Sequence, residues 1–376
     1  MLKIRAIAIE DKKAIKEFLG FAWEIYKNDP HWVAPLWMDL KSRFDLKKFP
    51  FFNYGEIQPF VAIKNGKIVG RIAAINNRRY NEIHQDKLGF FGYFECINDK
   101  EVANSLFAKA ETWLKQKGLQ RVNGPASPSS NYDYGLLVEG FNDSPRLMMT
   151  YNPEYYINLI ESYGFTKNMG LLAYKIDRTK AFGDGKLQRV ADLATKRYGL
   201  SVRYLNKKKM KAEMEIVKRL FNLAWEDNYG FIPFTNEELD LMADEFKLVA
   251  DEDFLPFVLN DKGEEIGMAI ALKDFNQIFK SFNGNLFPFN FLKLFTQKKK
   301  IDWLRILLLG VLPEYRNKGI DAVLYRSIIN NCDKHNIKYG EASWILEDNA
   351  AMCRAAENVM QGKLYKKYNV YEKVIS

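Results

Sequence analysis

The stretch that decides the fold is Arg305 to Ala322, which reads Arg-Ile-Leu-Leu-Leu-Gly-Val-Leu-Pro-Glu-Tyr-Arg-Asn-Lys-Gly-Ile-Asp-Ala. Its apolar first half predicts a buried strand that ends at Pro313, and the spacing of Ile320 and Val323 predicts a helix. A basic turn that ends in Gly319 joins the two elements. A helix start behind such a turn presents backbone N–H groups and a positive dipole to an anion. The stretch therefore predicts a strand, a turn and a helix that together bind a pyrophosphate.

The elements that follow give this junction a context. Tyr339-Gly-Glu-Ala-Ser-Trp-Ile-Leu-Glu-Asp-Asn349 reads as a second strand that closes on an asparagine, and Gly362 to Lys373 reads as a third strand after a short helix. This order resembles the C-terminal half of the GNAT acyl-CoA N-acyltransferases, whose phosphate loop reads Arg/Gln-x-x-Gly-x-Gly/Ala. Arg316 and Gly319 fit that loop, whereas Asp321 stands where the second small residue is expected.

Composition indicates a large soluble protein of about two or three domains, because the chain has 376 residues, of which 47% are hydrophobic and 27% charged. No run approaches the roughly 20 apolar residues of a membrane-spanning helix, and the first residues lack the apolar core of a signal peptide. We therefore expect a cytoplasmic protein. The few cysteines and histidines lack the spacing of a disulfide framework or a metal centre, so we expect no metal.

Element order along the chain predicts two copies of one fold. A strand at 2–8, a helix at 10–27 and a hairpin around Asn65-Gly66 open the first copy, and a strand at 201–204 opens the second. We predict domains at residues 1–180 and 181–376, with a linker from Arg178 to Lys186. Each is α/β (α+β), GNAT-like, with a mixed, mostly antiparallel sheet flanked by helices. In the first copy Ile97-Asn-Asp-Lys-Glu101 has no glycine, which predicts that CoA binding is lost there.

An insertion at Asp274 to Lys300 is rich in aromatic residues and ends in three lysines. It could be a lid between the domains, the lining of a channel for a long acyl chain, or a face that lies on a bilayer. The formal net charge of +9 suits an anionic membrane surface, while no nucleic-acid-binding motif accompanies it, so we expect no nucleic acid partner. The substrate-binding candidates are Phe279, Phe282, Phe287, Phe289 and Phe291 of the insertion, with Asn131 and Tyr132 from the polar loop after Gly124-Pro125.

Longer motifs narrow the resemblance. Asp274-Phe-Asn-Gln-Ile-Phe-Lys, Asn283-Gly-Asn-Leu-Phe-Pro-Phe289, Ser343-Trp-Ile-Leu-Glu-Asp-Asn349 and Gly89-Phe-Phe-Gly-Tyr-Phe-Glu-Cys96 resemble a bacterial family of double-GNAT proteins that includes bacterial ceramide synthases. The resemblance spans nearly the whole chain. It implies transfer of an acyl group from acyl-CoA to a primary amine such as a sphingoid base, while the composition of the insertion allows peripheral contact with the inner membrane surface. A catalytically silent protein that binds lipid or protein, and a small-amine N-acetyltransferase, remain alternatives.

The resemblance also implies roles for single residues. The acyl-CoA is expected to contact the strand, the basic turn and the asparagine, namely Gly310, Val311, Arg316, Asn317, Lys318, Gly319, Ile320 and Asn349. Direct attack on the thioester requires a neutral amine and an acid for the leaving thiolate. The candidate acid is Tyr365, and the candidate bases are Glu341 and Glu347, with Glu95 or His84 as candidates if the two halves share one cleft.

Overall fold

The computed structural model describes residues 1–179 and 181–375, except for the side chains of Lys247 and Leu248. Lys180, within the predicted linker, and Ser376 lie outside the described residues.

The first half of the chain alternates strands and helices much as its sequence predicts. The strands are β1 (Leu2–Ala6), β2 (Gly55–Lys64), β3 (Lys67–Asn77), β4 (Leu88–Cys96), β5 (Arg121–Gly124), β6 (Ala126–Ser127), β7 (Asp133–Tyr134), β8 (Leu136–Glu139) and β9 (Thr166–Asp177). The helices are α1 (Lys12–Ile25), α2 (Trp37–Ser42), α3 (Arg78–His84), α4 (Lys100–Gln116) and α5 (Tyr156–Ser162). Asn65 and Gly66 both have positive φ, which confirms the predicted hairpin turn.

The second half repeats this order. Its helices are α6 (Lys186–Tyr198), α7 (Met210–Trp225), α8 (Asn236–Val249), α9 (Asn276–Phe279), α10 (Phe291–Thr296), α11 (Ile320–Cys332) and α12 (Ala350–Arg354). Its strands are β10 (Ser201–Tyr204), β11 (Pro256–Leu259), β12 (Glu265–Lys273), β13 (Trp303–Val311), β14 (Tyr339–Leu346) and β15 (Lys363–Val374). The strand, turn and helix predicted at 305–322 are confirmed as β13 and α11.

The chain forms two compact units. Unit 1 comprises Met1–Leu171, Phe279–Asn290 and Lys366–Ser376, and unit 2 comprises Leu172–Ile278 and Phe291–Tyr365. The predicted domains, residues 1–180 and 181–376, rest on the repeated order of elements, whereas the two units are defined by their compactness. The domain boundary therefore stays a prediction.

Unit 1 contains a mixed sheet in the order β1-β2-β3-β4-β5-β15. The pairs β1 with β2, β2 with β3, β3 with β4 and β5 with β15 are antiparallel, and β4 pairs parallel with β5 from Leu88 to Phe90. Helix α4 begins at Asp99, whose carboxylate caps the backbone N–H groups of Glu101 and Val102. Its apolar face packs on the sheet and forms the centre of the core, with Val102, Leu106, Phe107 and Leu114 all buried.

Unit 2 contains a sheet of the same kind in the order β10-β11-β12-β13-β14-β9. Strands β10 to β13 pair antiparallel, and β13 pairs parallel with β14. Helix α11 packs on this sheet and against α6, while α7 packs on β12 and β13. The mixed, mostly antiparallel sheets with helices on them confirm the predicted fold class.

Part of the aromatic insertion is buried and part of it is exposed to solvent. Phe275, Ile278, Phe279, Phe282, Leu286 and Leu294 are buried. Within unit 1, the indole of Trp23 donates to the side chain of Asn283 at 2.9 Å, and the backbone N–H of Trp37 donates to the Gly284 carbonyl at 2.9 Å. Phe287 and Phe289, by contrast, are 63% and 75% exposed. Among the described residues, no helix combines the length and the apolar composition needed to cross a bilayer.

Candidate active site

An open cleft lies in unit 2 where β13 and β14 separate. The two strands are in register from Trp303 with Tyr339 to Ile306 with Ala342. Beyond this point, both strands line a cleft of about 370 Å³. On its other edge, β13 stays paired with β12 as far as Val311. On the edge that faces β14, the ladder of hydrogen bonds ends at Ile306, so the backbone groups of β13 beyond this residue can bind a ligand in the cleft.

The start of α11 forms one end of the cleft. Its N-cap residue, Gly319, adopts a left-handed conformation with φ of 76°, and no side-chain cap closes the helix start. Ile320 and Asp321, from the first turn, line the cleft. Uncapped N–H groups and the helix dipole favour an anion at this position. The Asp321 carboxylate works against that preference from the same turn.

Two further contacts shape the cleft walls. The ring of Trp225, at the end of α7, covers Gly310, because a Cβ added at Gly310 would lie 2.2 Å from it. Glycine at 310 is therefore required for the close approach of this ring. Asn349 lines the opposite wall and caps α12 by accepting a hydrogen bond from the backbone N–H of Met352 at 3.1 Å.

The structure brings most of the predicted cofactor residues to this cleft. Its lining includes Gly310, Val311, Arg316, Asn317, Ile320 and Asn349. Arg316 is exposed and donates to the Ala224 carbonyl at 2.9 Å. Lys318 and Gly319 are not among the lining residues. The Lys318 ammonium lies 4.9 Å from the ring of Tyr315 and 5.8 Å from that of Tyr198 on α6, and a Cβ at Gly319 would lie 3.2 Å from Ala194 of α6. The glycine is thus explained by helix packing and by its positive φ.

A buried polar network lies beside the cleft. The Glu341 side chain is 0% exposed and forms an ion pair with Arg305, itself 2% exposed, at 3.8 Å. Ser343 accepts a hydrogen bond from Arg305 Nε at 2.9 Å and donates one to Glu341 Oε1 at 2.5 Å. Tyr365 donates its hydroxyl hydrogen to Glu341 Oε2. Of these residues Ser343 lines the cleft, so it connects the carboxylate to the space where a ligand would lie.

The other predicted catalytic residues lie elsewhere. Glu347 is exposed at the end of β14. His84 and Glu95 belong to unit 1, where the ring of the exposed His84 lies 4.3 Å from that of Tyr80. Glu95 accepts a hydrogen bond from Tyr156 at 2.7 Å. Burial, opposed by the charge of Arg71, raises the pKa of Glu95 above its ordinary value.

Unit 1 has a parallel strand pair that corresponds to β13 and β14, but the space beside it is filled. After β5 the chain enters β6, and a Cβ added at Gly92 of β4 would lie 1.9 Å from the Ala126 carbonyl oxygen. The backbone N–H of Tyr93 donates to Ser127 Oγ at 2.9 Å. The backbone donor of β4 is therefore already satisfied by the protein itself at this position.

The predicted substrate-binding residues outside the insertion also have structural partners in unit 1. The backbone N–H of Asn131 donates to Ser129 Oγ at 3.3 Å, and the ring of Tyr132 lies 5.3 Å from that of Phe49. Within the insertion, Phe279 and Phe282 are buried, and Phe291 is half-buried. Their assignment to a substrate stays a prediction.

A cluster of Asp251, Asp253 and His335 in unit 2 has the spacing of metal ligands. Lys273 pairs with Asp251 at 2.9 Å, and Lys334 pairs with Asp253 at 2.6 Å. These ammonium groups already balance the carboxylates, so the cluster is explained as an ion-pair network.

Sequence reasoning missed Arg305, Ser343 and Trp225. Arg305 interrupts an apolar strand, and a charged residue there signals a buried partner; Glu341 in the next strand was available to be that partner. Trp225 gave no local signal, because its contact with Gly310 joins two distant elements.

Comparison with solved structures identifies the fold. A tandem GNAT protein from the clavulanic acid biosynthesis pathway aligns over 100% of this chain and 99% of its own, with a TM-score of 0.59 and 12% identity. A GCN5-related N-acetyltransferase from Sphaerobacter thermophilus aligns over 100% and 96%, with a TM-score of 0.52 and 12% identity. No family model matches the chain. The fold is thus the tandem GNAT fold.

Full-length relatives identify the family. Bacterial ceramide synthase from Caulobacter vibrioides is 32% identical over 382 residues, which cover 99% of this chain and 98% of the relative. Protein YghO from Escherichia coli is 32% identical over 371 residues, which cover 97% and 94%. The chain belongs to the family of these two proteins. Together with the fold, this membership makes it an acyltransferase of the GNAT class.

Proposed function

We propose that the protein transfers an acyl group from acyl-CoA to a primary amine in the cleft of unit 2, and that the acyl group is long and the amine a sphingoid base or a similar amphiphile. The observation that carries the proposal is the cleft itself, which joins an uncapped helix start, an open strand edge and a buried carboxylate. The name of the relative from Caulobacter vibrioides supports the choice of lipid substrates.

The donor half of the reaction follows from the walls of the cleft. The diphosphate of CoA would lie at the start of α11, where backbone N–H groups and Arg316 favour negative charge. The pantetheine arm would follow the open edge of β13 and pair with its backbone groups. A backbone N–H of this edge would then polarise the thioester carbonyl and stabilise the oxyanion that forms on attack.

The acceptor half needs a place for a proton. The amine nitrogen attacks the carbonyl carbon, the C–N bond forms, the C–S bond breaks, and the ammonium loses one proton while the thiolate gains one. We assign the first proton to Glu341, which would receive it through the Ser343 hydroxyl at the cleft wall. Arg305 positions this hydroxyl, and Tyr365 holds the other carboxylate oxygen. Tyr365 would return a proton to the thiolate through this network.

The exposed part of the insertion supports a lipid acceptor. Leu292 and Phe295, both on α10, are 50% and 72% exposed, and three lysines follow them at Lys298–Lys300. Apolar side chains beside cationic ones are typical of segments that lie on an anionic bilayer. Contact with a membrane surface would give the cleft access to an amphiphilic amine.

The proposed reaction is tested by incubating the purified chain with palmitoyl-CoA and a sphingoid base. The expected result is release of free thiol, one equivalent per amide formed, with the N-acyl product identified by mass spectrometry. Acetyl-CoA with a small amine such as spermidine serves as the matched comparison. Turnover of that pair alone would contradict the lipid assignment, and turnover of neither pair would contradict acyl transfer in this cleft.

A further inference from the structure

A second, apolar cavity lies in unit 2 directly beside the cleft. It measures about 40 Å³ and lies between β13, β14 and α11, with Leu304, Ile306, Gly340, Ile328 and Cys332 in its lining. Its wall is apolar. A buried water needs two to four polar partners, so such a wall suits a hydrocarbon rather than solvent.

The cavity and the cleft adjoin each other. Ile306, Tyr325 and Met360 line both of them. Ile306 is also the last residue of β13 in register with β14, so it marks the point where the strands begin to separate. A chain that leaves the cleft at this point and continues along β13 toward Leu304 enters the cavity.

Tyr325 lies at this junction with a hydroxyl group that lacks a partner among the described residues. The residue is 2% exposed. Burial, together with the nearby charge of Asp321, raises the pKa of Tyr325, so the phenol keeps its hydrogen as a donor. A buried donor without an acceptor is destabilising, and a ligand oxygen that accepts its hydrogen would remove this cost.

We propose that this cavity receives the acyl chain of the donor, and that the Tyr325 hydroxyl donates to an oxygen of the thioester or of the pantetheine arm at its entrance. The proposal rests on the proposed function and adds to it the place of the acyl chain. The space between α11 and the sheet then determines which lengths of acyl chain are preferred. The aromatic insertion takes no part in binding the donor.

Gly340→Ala tests the proposal with little risk to the fold. A Cβ at this position would lie 3.6 Å from Ile176 and 3.8 Å from the Leu304 carbonyl oxygen, which are ordinary contact distances. The added methyl group narrows the cavity. Gly183→Ala is the matched control, because a Cβ there meets nothing within 4 Å.

The affinities for acetyl-CoA and octanoyl-CoA are measured by calorimetry. In Gly340→Ala we expect the affinity for octanoyl-CoA to fall about tenfold, the loss expected when roughly two buried methylene groups return to water. The affinity for acetyl-CoA should be unchanged, and Gly183→Ala should match the unaltered protein with both ligands. Equal affinities of Gly340→Ala and the unaltered protein for octanoyl-CoA would overturn the acyl cavity.

A second measurement locates the chain directly. An octanoyl-CoA analogue with a diazirine at the end of the acyl chain is bound, irradiated and mapped by mass spectrometry. Labelling of peptides within residues 320–346 is expected. Labelling confined to residues 279–295 would overturn the cavity while leaving the acyltransferase proposal intact. Absence of binding by every acyl-CoA in the unaltered protein would overturn both.

Discussion

Glu341 is the residue on which the proposed chemistry depends most. It is fully buried, it faces Arg305, and it is bonded to the hydroxyls of Ser343 and Tyr365. Glu341→Gln keeps the shape of the side chain but removes the acceptor for the amine proton. We expect kcat to fall by about 10²- to 10⁴-fold, while calorimetric binding of acyl-CoA is unchanged.

Glu347→Gln is the control for this change. The residue lies on the same stretch of chain but is exposed at the end of β14. Its activity should stay within about twofold of the unaltered protein, the scatter expected of a surface substitution. A large loss of kcat in Glu347→Gln with normal turnover in Glu341→Gln would show that the base has been assigned to the wrong carboxylate.

A second residue-scale prediction concerns stability. Burial opposes the ionisation of Asp251, but its hydrogen bond with Lys273 and the charges of Lys298 and His335 hold its pKa below the ordinary value. The ionised Asp251 therefore stabilises the folded state at pH values above the ordinary aspartate pKa. This stabilisation is lost as the pH falls through the lowered pKa of Asp251 in the folded state. Asp251→Asn should lower the free energy of unfolding by about 3 kcal/mol at pH 7, because the buried Lys273 loses its ion-pair partner and keeps only a neutral hydrogen-bond partner in its place.

Urea unfolding between pH 3 and pH 7 measures this effect. The variant should also lose less stability than the unaltered protein as the pH falls through the acidic range. Asp333→Asn is the control: Asp333 pairs with Arg178, but its side chain is 80% exposed. The control should change the free energy of unfolding by at most about 1 kcal/mol. Equal losses in the two variants would show that burial does not strengthen the Asp251 pair.

Sequence patterns predicted the elements better than the site, and single residues show why. Local signals such as Asn65-Gly66 or the strand before Pro313 depend on neighbours in sequence, so they could be read directly. The network around Glu341 depends on the parallel register of β13 with β14, which places Arg305 opposite Glu341. That register is a tertiary property, as is the contact of Trp225 with Gly310, and no local pattern encodes either.

The junction of β13 and α11 is the element that holds the proposed CoA diphosphate. Arg316 is exposed at this turn, so it can be changed without disturbing a core. Arg316→Glu should weaken acetyl-CoA binding about 10- to 100-fold, because a hydrogen bond between charged groups is replaced by repulsion. Calorimetry measures the change.

Lys211→Glu provides the same change of charge on the exposed face of α7. Its affinity for acetyl-CoA should equal that of the unaltered protein. If both charge reversals weaken binding equally, the effect comes from the net charge of the protein and the turn does not contact the diphosphate.

Helix α10 is the element proposed to touch a lipid surface. Replacing Leu292 and Phe295 together by serine removes two exposed apolar side chains and leaves the lysines in place. Sedimentation with vesicles of phosphatidylcholine and phosphatidylglycerol should show at least about tenfold weaker binding. The reason is that the variant lacks the apolar area that Leu292 and Phe295 would bury in the bilayer.

Leu193→Ser, at a residue of α6 that is 69% exposed, is the control and should bind vesicles like the unaltered protein. Vesicle binding that is the same in all three proteins would remove α10 from the proposed interface.

At the scale of the whole molecule, the two units use similar sheets in different ways. Each contains a parallel strand pair beside antiparallel ones, β4 with β5 in unit 1 and β13 with β14 in unit 2. In unit 2 the strands open into a cleft, whereas in unit 1 Ala126 and Ser127 occupy the corresponding space beside β4. We therefore propose that unit 2 alone binds acyl-CoA and that unit 1 has lost this capacity.

Hydrogen–deuterium exchange with and without saturating acetyl-CoA tests this central claim most directly. Slower exchange is predicted in peptides from residues 307–321 and 342–352, because the ligand would cover the β13 edge and the start of α11. Peptides from residues 88–97 and 121–128 should exchange at the same rate in both samples. Protection of the unit 1 peptides with none in unit 2, or protection in neither, would contradict the account.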